Sequence, residues 1–179
     1  WQLIQSLPPL ISQDTQGENM EAVLLHYTKK TAIELLGRLS GWVRTRPDFL
    51  RSALEMISSL LLATAPQGSP PNILERVKQV QQSASIAFKE ICYDGKQHLQ
   101  DLVPQLTTLY VQTMALPIRM HLFIVDGIGS VVTYLRQDDS FKIGLEQLVM
   151  PLVQGLSSEK EKPQVLCEIL DRLQTIIRL

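Results

Sequence analysis

Cysteine is scarce in this chain. Only Cys92 and Cys167 occur in 179 residues, too few for a disulfide framework and not spaced for zinc. They read as two buried free thiols of a reducing compartment. An excess of charge of one sign is also missing. Seventeen basic side chains face 18 acidic ones, the formal net charge is -1 and the sequence pI is about 6.3. No basic balance therefore points to a nucleic acid or to an anionic membrane as partner. Apolar runs are short, as at Leu60–Ala63 and Leu122–Val125, far below the roughly 18 residues that suggest a membrane span. No signal-peptide pattern and no strand alternation appear. The chain starts at Trp1 rather than Met and stops on an apolar stretch at Leu179. It reads as a piece of a longer protein, and a mean hydropathy of +0.05 fits a helical stack with exposed end faces.

The signatures of catalysis are lacking as well. His26, His98 and His121 lie far apart, and none has a Cys, Asp or Glu at metal-ligating spacing. They read as packed or surface histidines. No nucleophile elbow, phosphate-cradling glycine loop or dinucleotide fingerprint occurs. Asp126-Gly-Ile-Gly129 is embedded in LFIVDGIGSVVTYL, which lacks a strand–turn–helix context, and Asp138-Asp139 reads as a helix-start turn. The expectation is a protein that is not an enzyme and uses no metal or cofactor.

What is present is a repeat. FLRSALEMISSLLLAT (49–64) maps onto HLQDLVPQLTTLYVQT (98–113) at an offset of 49, placing Leu50 on Leu99, Leu54 on Val103, Ile57 on Leu106 and Leu60 on Leu109. LEQLVMPLVQGL (145–156) follows a further 46 on, with Leu145 on Leu99 and Leu152 on Leu106. Helical spacing repeated at this length predicts an all-α fold, an α-α superhelix of the HEAT-repeat type with about three helical hairpins and flanking helices. Such folds present binding surfaces.

Periodicity and breakers place the helices at about 20–44, 47–64, 73–93, 96–114, 117–136, 140–157 and 163–178. Residues 1–7 read as a helix end broken by Pro8-Pro9, 12–19 as a polar connection, and 64–72 as the clearest loop. Arg46-Pro47 closes the first long helix and opens the second, with Asp48 at its positive end. Asn72 and Glu75 resemble a capping box, and Asp94-Gly95 a helix stop. The whole chain is then a single HEAT-repeat segment, with repeats at about 20–64, 73–114 and 117–157 and a trailing helix at 163–178. Pro104 and Pro151 fall inside apolar helical patterns and imply tolerated kinks. Gly37, Gly41, Gly127, Gly129, Gly144 and Gly155 lie within helices, where each costs about 1 kcal/mol against Ala. Close helix-to-helix approach is the expected offset.

Two surfaces are candidates for function. In a HEAT-type stack the second helices line the concave side. With the leucine phase buried, the free face offers Arg51, Ser52, Glu55 and Ser59, then Asp101, Gln105, Thr108 and Gln112, then Lys142, Gln147 and Gln154. Arg51, Glu55, Asp101, Gln105, Gln112 and Gln147 are the residues expected to face a partner. Arg38, Arg44, Arg46 and Arg51 also cluster around a turn. That cluster is either a solvated corner or a docking spot for an acidic or phosphorylated partner.

Several strings carry a family resemblance. YTKKTAIELLGRLSGWVRTRPDFL (27–50), through its I-E-L-x-G-x-x-S core at 33–40, Trp42, Pro47 and Leu50, resembles the transportin-SR and importin-thirteen branch of the importin-β (karyopherin-β) superfamily. ASIAFKEICYDGKQHL (84–99), with Ala84, Ile91, Cys92 and Leu99, is similar to the same branch's next repeat, and LEQLVMPLVQGL and LCEILDRLQTIIRL follow in order. The resemblance spans nearly the whole chain. It implies a non-catalytic nuclear transport receptor that shuttles between nucleus and cytoplasm. The implied partners are protein cargo, including serine/arginine-rich splicing factors, with RanGTP and nucleoporins engaged through the full-length protein. No direct contact with nucleic acid or membrane is implied. The chain departs from the branch in having no helix with several arginines on one face, so it reads as a central section of the arch. The alternative reading is a HEAT scaffold for another assembly, of the phosphatase or vesicle-coat type.

Overall fold

The structure, a computed structural model, describes residues 20–135, 139–158 and 163–178. The helix end expected at 1–7 and the polar connection at 12–19 lie outside the described residues. Every regular element among the described residues is helical: α1 (Met20–Arg38), α2 (Ser40–Val43), α3 (Pro47–Leu61), α4 (Pro71–Gly95), α5 (Val103–Gln112), α6 (Ile118–Tyr134), α7 (Asp139–Ser158) and α8 (Pro163–Ile177). The all-α class is thus established.

Local chemistry explains most boundaries. Pro47 occupies the first turn of α3, where its missing N–H costs nothing, and Asp48 meets the positive end of the helix dipole. Leu50, Ala53, Leu54, Ile57 and Leu61 form the buried stripe of α3, recurring at three and four as an amphipathic helix requires. The orphan carbonyls at the end of α3 are captured from outside: the buried Gln81 of α4 donates to Leu61 O at 3.0 Å and to Ala63 O at 2.9 Å.

Three sequence expectations need correction. The helix expected over 20–44 breaks at Leu39, whose φ of -92° and ψ of 11° are not helical. The short α2 that follows is pinned inward by Ser40 Oγ, which donates to Asp94 Oδ2 at 2.5 Å, and by the fully buried Val43. The helix expected over 96–114 is two 3-10 turns, Lys96–His98 and Gln100–Leu102, followed by α5. Pro104 therefore sits in the first turn of α5 and kinks nothing, whereas Pro151 does lie inside α7. The capping box is not formed. α4 starts at Pro71 after an extended Pro70, which puts Asn72 inside the helix rather than at its cap, and Asn72 Oδ1 accepts the N–H of Ile73 at 3.0 Å.

Packing follows a regular order. α1, α4, α6 and α8 each touch the next of that series, α3 lies on α4, and α5 and α7 lie on α6 and on each other. One apolar core runs from Ile33 on α1 through Phe88, Ile91, Ile124 and Ile128 to Ile176 on α8. The glycines allow the helices of the series to come close. A Cβ on Gly37 would meet Ala87 Cα at 3.0 Å, and one on Gly127 would meet Lys89 Cα at 3.1 Å. Gly41 is different: it is exposed, and only Asp94 Oδ2, at 3.8 Å, would come within 4 Å of an added Cβ.

Candidate partner-binding groove

The leucine phase that buries α3 and α5 also decides what they show. Leu99 is fully buried, and Val103, Leu106 and Leu109 are 6%, 5% and 5% exposed, so Asp101, Gln105, Thr108 and Gln112 face solvent as expected. Between α3 and α5 lies a groove of about 390 Å³. Leu54, Leu106 and Leu109 line its base, while Arg51, Glu55, Gln105 and Gln112 stand on its rim. Arg51 Nη2 donates to Asp101 Oδ2 at 2.6 Å, so an ion pair between half-exposed side chains bridges the two sides. The structure thus gathers four of the six partner-facing candidates in the groove's lining, with Asp101 joined to them through Arg51. It does not place Gln147 among the groove's lining residues. Instead, its Oε1 accepts a hydrogen bond from Thr107 Oγ1 at 3.1 Å, which ties α5 to α7.

The four-arginine corner also divides. Arg51 is neutralised by Asp101. Arg46 lies 5.5 Å from the centre of the Trp42 ring, and Trp42 meets Phe49 edge to face at 5.6 Å.

Sequence reasoning missed a buried polar chain beyond the groove. Arg172 of α8 is 5% exposed. Its Nε–H donates to His121 Nδ1 at 2.9 Å and its Nη2 to Met114 O at 3.3 Å. Accepting that bond at Nδ1 fixes the neutral His121 tautomer, so Nε2–H donates to Tyr110 O at 3.1 Å. Tyr110 in turn donates its hydroxyl to Leu148 O at 3.0 Å. Burial, reinforced by the Arg172 charge, pushes the His121 pKa down to about 4 although the bond to Tyr110 O opposes the shift. The signal was present in the sequence: Ile169, Arg172 and Ile176 keep one helical phase, so Arg172 falls on the buried stripe.

The remaining candidates carry no site. His26 is buried and held by Gln79 Oε1 at 3.2 Å, with burial lowering its pKa, and His98 pairs with Gln97. Asp126 and Gly127 lie within α6, where Asp126 pairs with Lys89 at 2.7 Å. Cys92 is fully buried and its thiol pKa is raised by burial, but Cys167 is exposed, contrary to the expectation of two buried thiols. Among the described residues, no cluster of three potential metal ligands occurs and no helix is long and apolar enough to cross a membrane. No family model, no curated protein and no solved structure matches the chain.

Proposed function

We propose that this chain is a non-catalytic protein-binding segment built of stacked helical hairpins, a HEAT-type solenoid, and that the α3–α5 groove is its partner-facing site. The carrying observation is the groove itself, where leucines at the base and a rim of Arg51, Glu55, Gln105 and Gln112 offer apolar contact with a few oriented polar groups. The packing order supports the architecture. α1, α4, α6 and α8 touch in series, and α3, α5 and α7 lie against that layer.

The sequence resemblance carries this reading further, to a central section of a nuclear transport receptor of the importin-β superfamily. In that role the groove contributes to holding protein cargo, with serine/arginine-rich splicing factors as the candidate class. RanGTP and nucleoporins act through the full-length protein as it shuttles between nucleus and cytoplasm. The test is binding of the full-length protein to RanGTP and to a serine/arginine-rich cargo peptide, with and without Gln105→Ala/Gln112→Ala. The reading expects binding of both and at least about tenfold weaker cargo binding by the variant. Failure of both ligands at micromolar concentration, with capture of a phosphatase or coat subunit instead, removes the transport reading. Unchanged cargo affinity in the variant removes the groove.

A further inference from the structure

The corner joining α1 to α3 presents an aromatic side chain held from behind. Ser40 and Val43 anchor α2 on α4, which leaves Trp42 between them directed outward and 53% exposed. The backbone behind Trp42 is also tied, since its carbonyl accepts from Thr45 Oγ1 at 2.7 Å and from Thr45 N at 3.0 Å. Phe49 and Arg46 fix the ring from its edge and face. Its apolar surroundings continue with Leu35 and Leu39, 54% and 45% exposed. Gly41, beside it, puts no side chain in the way.

Charge surrounds this anchor. Arg46 lies over its ring, and Arg38, the last residue of α1, and Arg44 flank it closely in sequence. All three are exposed, and among the described residues none of them sits in an ion pair. They stand on a chain whose net charge is -1. A local cationic patch on a nearly neutral protein suits a short anion rather than a long polyanion, whose remaining charges would find no partner. Guanidinium groups pair with carboxylates in bidentate geometry and stack on aromatic rings, so arginine at this spot serves both demands.

We propose that the Arg38–Trp42–Arg46 corner binds a short acidic protein segment. One aliphatic side chain of that segment packs on Trp42 and Leu39, and flanking Asp or Glu carboxylates pair with Arg38, Arg44 and Arg46. The site is separate from the α3–α5 groove and does not depend on the nuclear transport reading. The test is fluorescence anisotropy of a labelled peptide carrying one Leu within a run of Glu, titrated with the full chain. A matched peptide with Gln for Glu and vesicles rich in phosphatidylserine serve as the other arms. The acidic peptide should bind at least about tenfold more tightly than the Gln peptide and should weaken as salt rises. R38Q/R46Q and Trp42→Ala should each cost it about tenfold or more. R38Q/R46Q replaces exposed side chains only, so its thermal melt should overlay the wild type and separate lost binding from lost folding. Equal binding of the Gln peptide would make the corner an apolar packing face and overturn the proposal. Unchanged affinity in R38Q/R46Q, or binding to vesicles alone, would overturn it too.

Discussion

The seam between α3 and α5 and the seam between α5 and α7 are built from the same repeated leucine phase, yet one is open and the other closed. At the first, the two helices stand either side of the groove, and Arg51 of α3 reaches Asp101 on the 3-10 turn that precedes α5. At the second, Thr107 reaches Gln147, and Tyr110 crosses to the backbone of α7 at Leu148 while its own carbonyl accepts a hydrogen bond from His121 Nε2–H. One position explains much of the difference. At the offset of 49, Tyr110 corresponds to Leu61, and both are buried, at 0% and 1% exposure. Leucine has no hydroxyl with which to join the next helix. Tyr110, together with Thr107, thus ties the second seam where the first has no such side-chain bond to the next helix.

The strongest way to break the contrast is Tyr110→Ala. It removes a fully buried aromatic ring together with the bond to Leu148 O, and should cost about 3–5 kcal/mol in chemical denaturation. A loss below about 1 kcal/mol would mean that the closed seam is not held by this side chain.

The closed seam should also be the acid-sensitive one. His121 has its pKa pushed down from 6.5 to about 4, so between those values the unfolded chain binds more protons than the folded one, and stability rises with pH. The contribution is complete above about pH 6.5 and is lost as pH falls through 4; it amounts to roughly 3 kcal/mol. Protonation would place a proton on Nδ1, where Arg172 Nε–H now donates. Other groups titrate in the same window, so the informative quantity is the difference between wild type and His121→Gln. The variant should show the shallower loss of stability from pH 7 to 4, and parallel curves would dismiss the role of His121.

The open seam is sharpened by a pair of neighbouring substitutions on α5. Leu106 is 5% exposed at the base of the groove, while Gln105 is exposed on its rim. Leu106→Ala should destabilise by about 2–5 kcal/mol, and Gln105→Ala should stay within about ±0.5 kcal/mol. Equal, small effects would show that the helix face has been assigned the wrong way round.

How much of this was legible in advance follows from what periodicity can encode. The burial phase of α3 was readable, because Leu50, Leu54 and Ile57 repeat at helical spacing and meet one core. So was the clustering of Arg51, Glu55, Gln105 and Gln112, since the same offset that aligns the leucines aligns the faces between them. The break at Leu39 was not. Gly37 and Gly41 flank it but do not fix its position, which comes from tertiary anchoring of Ser40 on Asp94, 54 residues away. The split at 96–102 left a signal that periodicity obscured. A helix running through Pro104 would leave the Gln100 carbonyl without its donor and crowd it against the proline ring, so the chain begins α5 at Val103 instead. Arg172 was hidden by its residue type, because a cation in the buried phase is noticed only when the phase is trusted over the charge.

The smallest expected effect lies in the bridge that spans the open seam. Arg51 and Asp101 meet at 2.6 Å, but their side chains are 49% and 57% exposed. Water screens such a pair, and holding two flexible side chains in one geometry costs entropy, so the net coupling should be under about 1 kcal/mol. A double-mutant cycle with Arg51→Ala and Asp101→Ala, read in denaturant melts at low and high salt, measures it directly. A coupling of a few tenths of a kcal/mol that vanishes at 1 M salt would fit a bridge that orients the groove rim without fastening α3 to α5. A coupling above about 2 kcal/mol that survives salt would make the bridge a structural clasp. The two seams would then differ only in the chemistry of their fasteners, and the groove would lose its claim to be the side of the molecule that opens.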